Sequence, residues 1–381
     1  MSPRSAGPGL RLGPRERLFR RYLAFISRPG AVRAAVGSLD LRRARPPDAE
    51  SSPEDGRRVR VAAVQMDASP VRSVEEYVRR VGGFVRDAVA RGADLVAFPE
   101  YVTYPLLGLL PGFEEMSGAG SGDAERGGAA GAGATEPETD RPALRDVVLY
   151  VEPLLRNVYQ TAFSRLAAAA RVHIAAGSTP MPDPDGRVYN VAALFDPAGR
   201  LVGTQAKLHL YPTEAAEGLS PGDRLEVFVT GVGRMALPVC MDATFFETYR
   251  LAALEGAEIV TNPIADVDTY SYWKKLRGAW PRVQETPVYA VQSALVGEFL
   301  GRPMTGKAAV YAPMELTPAG DGVLAESPEP VGDGMVVADL DLDALAEFRE
   351  RHPVFGRFNA GLIRNYLPQV YERFARDRRR S

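Results

Sequence analysis

From residue 58 onward, apolar positions recur in short blocks that alternate with helical spacing. "VRVAAVQMD" (59–67) is a β-branched run bounded by polar residues and predicts a buried strand. Ser73 with Glu76 three residues on has the capping-box form. Val74, Tyr77, Val78, Val81, Phe84, Val85 and Val89 then follow at helical spacing, and Gly92 ends the helix. "DLVAF" (94–98) predicts a second buried strand. Strand, helix and strand within forty residues make a βαβ unit, so the fold class is α/β and layered.

Further along, the pattern predicts a helix at about 148–171 and strands at 172–177 and 234–240. Two strands within 189–207 are joined by a turn at Asp196-Pro197-Ala198-Gly199. A helix at 246–255 leads to a strand at 257–263, followed by helix at 271–285 and strand at 288–294. Shorter strands near 308–312 and 334–340 and a helix at 342–350 complete the body. Two stretches break the rhythm. Residues 105–147 interrupt the periodicity, and their Gly/Ala-rich part, about 112–142, has almost nothing to bury and is expected as a mobile surface insertion. Residues 1–57 are expected as an Arg-rich, mostly disordered arm with one short helix near 15–27. The catalytic-size domain is then 58–350, and 351–381 is a tail. Its Phe355, Phe358, Leu362, Ile363, Tyr366 and Leu367 are apolar enough to reach across an oligomer interface.

Composition narrows the function. The chain of 381 residues is 45% hydrophobic and 25% charged, ordinary globular usage that needs no disulfide or metal to fold. Cys240 is the only cysteine, and with His173, His209 and His352 it forms no metal-ligand spacing, so no metal is expected. A net charge of −2 gives no drive toward nucleic acid or an anionic membrane. The charge is unevenly placed: residues 1–60 hold 14 Arg against 6 acidic residues, and the rest of the chain holds 32 basic against 42 acidic. Only Lys207, Lys274, Lys275 and Lys307 are lysines, which makes a lysine at a special place informative. "FRRYLAFIS" has a loose likeness to a twin-arginine export signal, but Arg28, Pro29 and Arg33 break its apolar stretch, and a cytoplasmic location is expected.

Three reactive residues occupy equivalent places, each just past a predicted strand: Glu100 after "LVAFP", Lys207 after "LVGTQA" and Cys240 after "MALPV". In open α/β sheets, ligands collect outside the carboxyl ends of strands. A thiol must lose its proton to attack, a carboxylate can take that proton, and an ammonium stabilises negative charge on a carbonyl oxygen. Taken alone, Cys240 is as well read as a small buried hydrophobe, Lys207 as a loop cation and Glu100 as a polar strand end.

These segments together resemble the nitrilase superfamily of carbon–nitrogen hydrolases. "VAAVQMD" is similar to its opening strand, "GADLVAFPE" to the segment ending in its catalytic glutamate, and "GTQAKLHLYPTE" to its lysine segment. "LPVCMDATFFETYRLAALEGAEIVTNP" is similar to its nucleophile segment. The resemblance implies a four-layer α-β-β-α sandwich and a Glu–Lys–Cys triad without cofactor. By it Glu100 is the general base, Lys207 the oxyanion cation and Cys240 the nucleophile. The Met241 backbone N–H completes the oxyanion hole, and Glu214 is the second, orienting glutamate, with Glu217 as the competing choice. It also implies a homodimer or higher homo-oligomer. His209 is expected as structural or pocket-lining, and Tyr101, Tyr104, Tyr270, Trp273 and Glu298 as pocket-shaping or packing residues.

Some positions depart from the family pattern. Met241 stands where an aromatic residue is usual, and Phe245-Phe246-Glu247 where Phe-Pro-Glu is common. Met241-Asp242 replaces the Trp-Glu of true nitrilases, which favours amide or ureido (N-carbamoyl) substrates over nitriles. The alternatives are a nitrilase proper, acyl transfer to an amine through the same thioester, and a binding protein that retains the fold without turnover.

Overall fold

The structure, a computed structural model, describes residues 13–41, 57–113, 143–267, 269–299, 301–352 and 354–377. The Gly/Ala-rich stretch from 114 to 142 and the first twelve residues lie outside them. In chain order the elements begin with α1 (Pro14–Ile26), α2 (Pro29–Gly37), β1 (Arg58–Asp67), α3 (Val74–Ala90) and β2 (Leu95–Ala97). Then come α4 (Leu144–Ala170), β3 (His173–Pro182), β4 (Val188–Phe195), β5 (Leu201–Ala206), α5 (Pro212–Ala216), β6 (Val227–Thr230) and β7 (Gly233–Ala236). After these follow α6 (Phe246–Leu254), β8 (Ile259–Ile264), α7 (Tyr272–Lys275), α8 (Ala279–Glu285), β9 (Tyr289–Phe299) and β10 (Arg302–Met304). The last are β11 (Ala309–Tyr311), β12 (Val323–Glu326), β13 (Gly334–Asp341), α9 (Leu342–Arg351) and α10 (Leu367–Asp377).

Hydrogen bonding runs continuously through β5-β4-β3-β2-β1-β9-β8-β7-β6. Strand β1 is the hinge of this path. Val61–Ala63 pair in parallel with β2, Arg58–Gln65 pair antiparallel with β13, and only Gln65–Asp67 reach across to β9. The sheet therefore folds over on itself, and the period-2 alternation of each strand sorts its side chains into three layers of core. Val59, Val61 and Ala63 of β1 join Leu95, Ala97 and Leu194 against Val239, Ile259, Tyr289, Val291 and Val310, filling the space between the two halves. The alternate residues Ala62, Val64, Met66, Val96, Phe98 and Ile174 pack under α3 and α4. On the opposite outside, Ala236, Val260 and Ala290 pack under Tyr249, Ala252 and Val283 of α6 and α8. The result is the four-layer α-β-β-α order that the resemblance implies.

Half of the expected α3 capping box forms, the Ser73 hydroxyl accepting from the Glu76 N–H at 3.0 Å, while the Glu76 carboxylate accepts from the Arg72 N–H at 2.8 Å and not from that of Ser73. Other expectations are corrected. Residues 13–41 are not a free arm. Leu23, Val32, Val36 and Leu41 are buried in the same core as α3 and α4, Phe19 stacks on Tyr150 at 6.2 Å, and the Ser27 hydroxyl donates to the Pro153 carbonyl at 3.3 Å. Their few apolar positions gain burial only against α4 and α3, both distant in sequence. The strand expected to end at Cys240 stops at Ala236, because Pro238 cannot donate to a ladder. The helix expected over 271–285 is two short pieces separated at Gly278.

If α1 and α2 belong to this core, Leu23→Ala should lower stability by about 2–5 kcal/mol, the usual cost of emptying a fully buried leucine site. Chemical denaturation of the full chain measures this, and a change within error would mean that the helices are merely appended.

Candidate active site

Glu100 leaves β2 at its carboxyl end through a tightly held backbone. The Phe98 N–H donates to the Ala175 carbonyl at 2.9 Å, the Ser178 N–H to the Pro99 carbonyl at 3.2 Å and the Val102 N–H to the Ser178 carbonyl at 3.0 Å. Gly177, at φ +63, lets the strands approach this closely, since a Cβ there would lie 1.9 Å from the Pro99 oxygen. Tyr101 follows in the left-handed region at φ 52. Lys207 leaves β5 at its carboxyl end, and its N–H donates to the Asn190 carbonyl at 2.8 Å. Glu214 rides on α5, where its carboxylate accepts from the Tyr211 N–H at 2.7 Å.

These three side chains meet in the interior. The Lys207 ammonium donates to Glu100 Oε1 at 2.8 Å and to Glu214 Oε2 at 2.7 Å, all three residues being at most 6% exposed. Burying an unpaired ammonium would cost several kcal/mol, and two carboxylates offset that. Asn190 adds a second bridge, its amide donating to Glu100 Oε1 at 2.9 Å and Glu214 Oε1 at 3.3 Å. The Tyr101 hydroxyl also donates to Glu214. Glu217, the competing candidate, is exposed and accepts from the Leu144 N–H at 2.6 Å, at the start of α4, so Glu214 is the glutamate at the site.

Cys240 opens a 3-10 turn, Cys240–Thr244, with φ 47, a conformation that costs a non-glycine residue about 1–3 kcal/mol. Its half-buried side chain packs against Ile264, Ala294 and Val296, and its sulfur faces the Glu100 carboxyl and the Ala265 N–H. Met241 is the second residue of the turn, where a helical N–H has no partner within its own turn.

Electrostatics divide the labour. Burial pushes the Glu100 carboxyl up to about 7, Lys207 opposes this and Glu214 reinforces it. Burial likewise pushes the Cys240 thiol well above its ordinary value, with Glu100 adding and Lys207 opposing. For Lys207, burial works against the charge, but Glu100, Cys240 and Glu214 together hold the ammonium well above its usual range. The site at neutral pH is a thiol beside a carboxyl raised into the neutral range, with a fixed cation paired to that carboxyl.

Two residues of this arrangement went unread in the sequence. Asn190 is one, and a buried Asn inside an apolar strand was its signal. Asp242 is the other. It is fully buried and accepts from the N–H groups of Leu208 at 3.1 Å, His209 at 2.7 Å and Val239 at 2.8 Å, with His209 Nδ1 at 3.0 Å. It thereby ties the lysine loop to the cysteine turn. His209 stacks on Phe245 at 3.9 Å, a structural place, one of the two expected for it. Tyr104 stacks between Tyr101 at 4.3 Å and Phe299 at 4.4 Å, forming an aromatic wall next to Glu214. Trp273 is 73% exposed, Glu298 is exposed at a strand edge, and Tyr270 lies under the Lys307 ammonium at 5.4 Å.

The family model for carbon-nitrogen hydrolases matches residues 60–350, more than half of the chain. The chain belongs to the carbon-nitrogen hydrolase family. Among its relatives, this hydrolase is 28% identical over 304 residues to the probable hydrolase YhcX of Bacillus subtilis (strain 168), covering 78% of this chain and 52% of that protein. It thus spans about half the length of YhcX. It is 27% identical to the omega-amidase NIT2 of Homo sapiens, covering 78% of this chain and 93% of that one. Among solved structures, its fold matches Nit3 of Saccharomyces cerevisiae, described as a member of branch 10 of the nitrilase superfamily. There the TM-score is 0.57 at 21% identity, over 79% of this chain and 96% of that one. An amidase from Nesterenkonia sp. AN1 matches with TM-score 0.57 at 22% identity, over 81% of this chain and 97% of that one. Among its described residues no helix is long and apolar enough to cross a membrane.

The Asp242 staple can be cut. Asp242→Ala leaves three backbone N–H groups unpaired, so it should cost roughly 3 kcal/mol or more and slow alkylation of Cys240 by iodoacetamide. Unchanged alkylation would show that the two loops hold their places independently.

Proposed function

We propose that this protein hydrolyses small amides or N-carbamoyl compounds through a thioester on Cys240. The observation that carries this is the buried Glu100–Lys207–Glu214 fork facing the sulfur of Cys240. The omega-amidase and amidase names of the relatives support an amide over a nitrile, as does Met241-Asp242 after the cysteine. In a glutamate-to-glutamine mutant of the Nesterenkonia amidase the acetamide moiety of fluoroacetamide is added covalently at the active-site cysteine, so the sulfur of that amidase is a reactive one.

In this mechanism the thiol proton passes to Glu100 as sulfur attacks the carbonyl carbon, because a thiol held this high is not a standing thiolate. The negative charge moves to the carbonyl oxygen, where the Lys207 ammonium and the Met241 N–H receive it. The carbonyl re-forms, the C–N bond breaks, and Glu100 gives its proton to the departing ammonia or amine, leaving the thioester. Water then attacks the thioester carbon while Glu100 takes one of its protons. The C–S bond breaks as the acid forms, and the sulfur recovers its proton from Glu100. Glu214 orients Lys207 and never touches substrate. The chain needs no cofactor for these steps. We take it to act in the cytoplasm as a homo-oligomer, a pairing that the exposed Leu362, Tyr366 and Phe374 near the C-terminus support.

The test is ammonia release over a panel of small amides, ω-amides, ureido compounds and nitriles, with and without an added amine acceptor. Release from an amide or ureido class that disappears in Cys240→Ala supports the proposal. Turnover of nitriles alone, a product requiring the amine, or silence with a slowly alkylating Cys240 points respectively to a nitrilase, an acyltransferase or a binding protein.

The base works only as a carboxylate, so acidification removes it by protonation. kcat/KM should therefore fall as pH drops through about 7. Glu100→Gln should lose at least ~100-fold in kcat, the usual lower bound for a general base. A rate that is flat from pH 5 to 8 would remove Glu100 from that role.

A further inference from the structure

Beneath the cysteine turn lies a polar cluster that the chemistry above does not use. Strand β8 turns Val260, Asn262 and Ile264 to one face. Val260 packs with Ala243, Tyr249 and Val283, and Ile264 packs against Cys240, so Asn262 projects between them toward the underside of the turn. It is 1% exposed, and neither its Nδ2 nor its Oδ1 meets a hydrogen-bond partner in the protein. Three other buried atoms in this layer share that condition: the hydroxyls of Thr248 and Tyr249 on α6 and Nε of Arg282 on α8. Both the Arg282 guanidinium and the Asp242 carboxylate act on the Tyr249 hydroxyl, so the cluster reaches the residue that ties the two catalytic loops together. Gln292, across the ladder from Asn262, is occupied instead, donating to the Lys307 carbonyl at 3.0 Å.

Buried polar atoms in native proteins are almost always hydrogen-bonded, to water where protein offers nothing. A buried water typically makes about three such bonds and is found about once per 27 residues. Five unpaired atoms on elements of one layer match the demand of about two waters. Donors and acceptors are both present, because Arg282 only donates, Asn262 does both and each hydroxyl does either.

We propose that ordered internal water is bound between Asn262, Thr248, Tyr249 and Arg282, and that it forms the floor on which the Cys240 turn rests. A left-handed cysteine persists only where its surroundings over-determine it. Asp242 grips the turn from the lysine loop, and the hydrated cluster holds it from below. Asn262 is then a positioning residue: it sets where the sulfur stands and does not touch substrate. This role in the reaction rests on the hydrolase reading above, whereas the water site does not.

The experiment is a high-resolution crystal structure of the full chain together with Asn262→Leu, which keeps the volume and removes both polar atoms. The proposal expects water density bonded to Asn262 and the Tyr249 hydroxyl. It also expects Asn262→Leu to lower kcat by ~10-fold, a barrier change of about 1.4 kcal/mol, with KM within twofold. Iodoacetamide should alkylate Cys240 more slowly in the same variant. Tyr249→Phe, which removes a single hydroxyl, should show the same pattern more weakly and serves if Asn262→Leu does not fold. A dry, collapsed cluster overturns the proposal. So does a rise in KM with kcat intact, which would make Asn262 a substrate contact, or an alkylation rate equal to that of the unaltered chain. Density and alkylation need no substrate, so a failure of the hydrolase reading would leave them readable.

Discussion

One buried ammonium organises this protein. Lys207 sits in the interior with almost no contact with water, and it is tolerated there because two carboxylates, one past the end of β2 and one on α5, close on it. The cost of burying these charges is offset only while all three stay together, so the fork fixes the end of β2, the end of β5 and the start of α5 relative to one another. It also sets the chemistry. One of the carboxyls must share its site with a second negative group, and burial with that neighbour raises Glu100 into the neutral range while Lys207 keeps it from rising further. A structural necessity, pairing a buried cation twice, thus yields a base of useful strength beside a thiol.

The scaffold delivers these groups through backbone positions that ordinary residues avoid. Tyr101, directly after Glu100, and Cys240 both adopt positive φ, and Gly177 permits the close approach that anchors the first of them. The folded-over sheet explains why they converge. β1 joins the two halves near its carboxyl end, so the strand ends carrying Glu100 and Lys207 on one half lie beside the turn carrying Cys240 on the other. Asp242 completes the closure by accepting N–H groups from the lysine loop and the cysteine turn at once.

Glu100, Lys207 and Cys240 were legible because each follows a strand that local periodicity marks, and because lysine is rare in this Arg-rich chain, whereas Glu214 was reached only through the family resemblance. Their resemblance to a known family tied them together. Asn190 and Asp242 were not legible, since their roles are bonds to residues 24 to 90 positions away. In the fold, the long strands and α3 follow from alternation and capping. The short helix expected near 15–27 forms as α1, but α2 and the packing of both N-terminal helices were not legible, because Leu23 and Val32 are buried against α4, more than a hundred residues later. The early end of β7 was visible in principle in Pro238, where a missing N–H outweighs an apolar run.

The pH dependence of Cys240 alkylation in Lys207→Met tests the fork most directly. In the unaltered protein, alkylation should rise with pH along a limb near 7, as Glu100 ionises and draws the thiol proton. Removing the ammonium removes the influence that favours the Glu100 carboxylate, so the limb should move to higher pH and the rate at neutral pH should fall. A limb that stays where it was, in a variant that folds, would mean that Lys207 does not govern the Glu100–Cys240 pair.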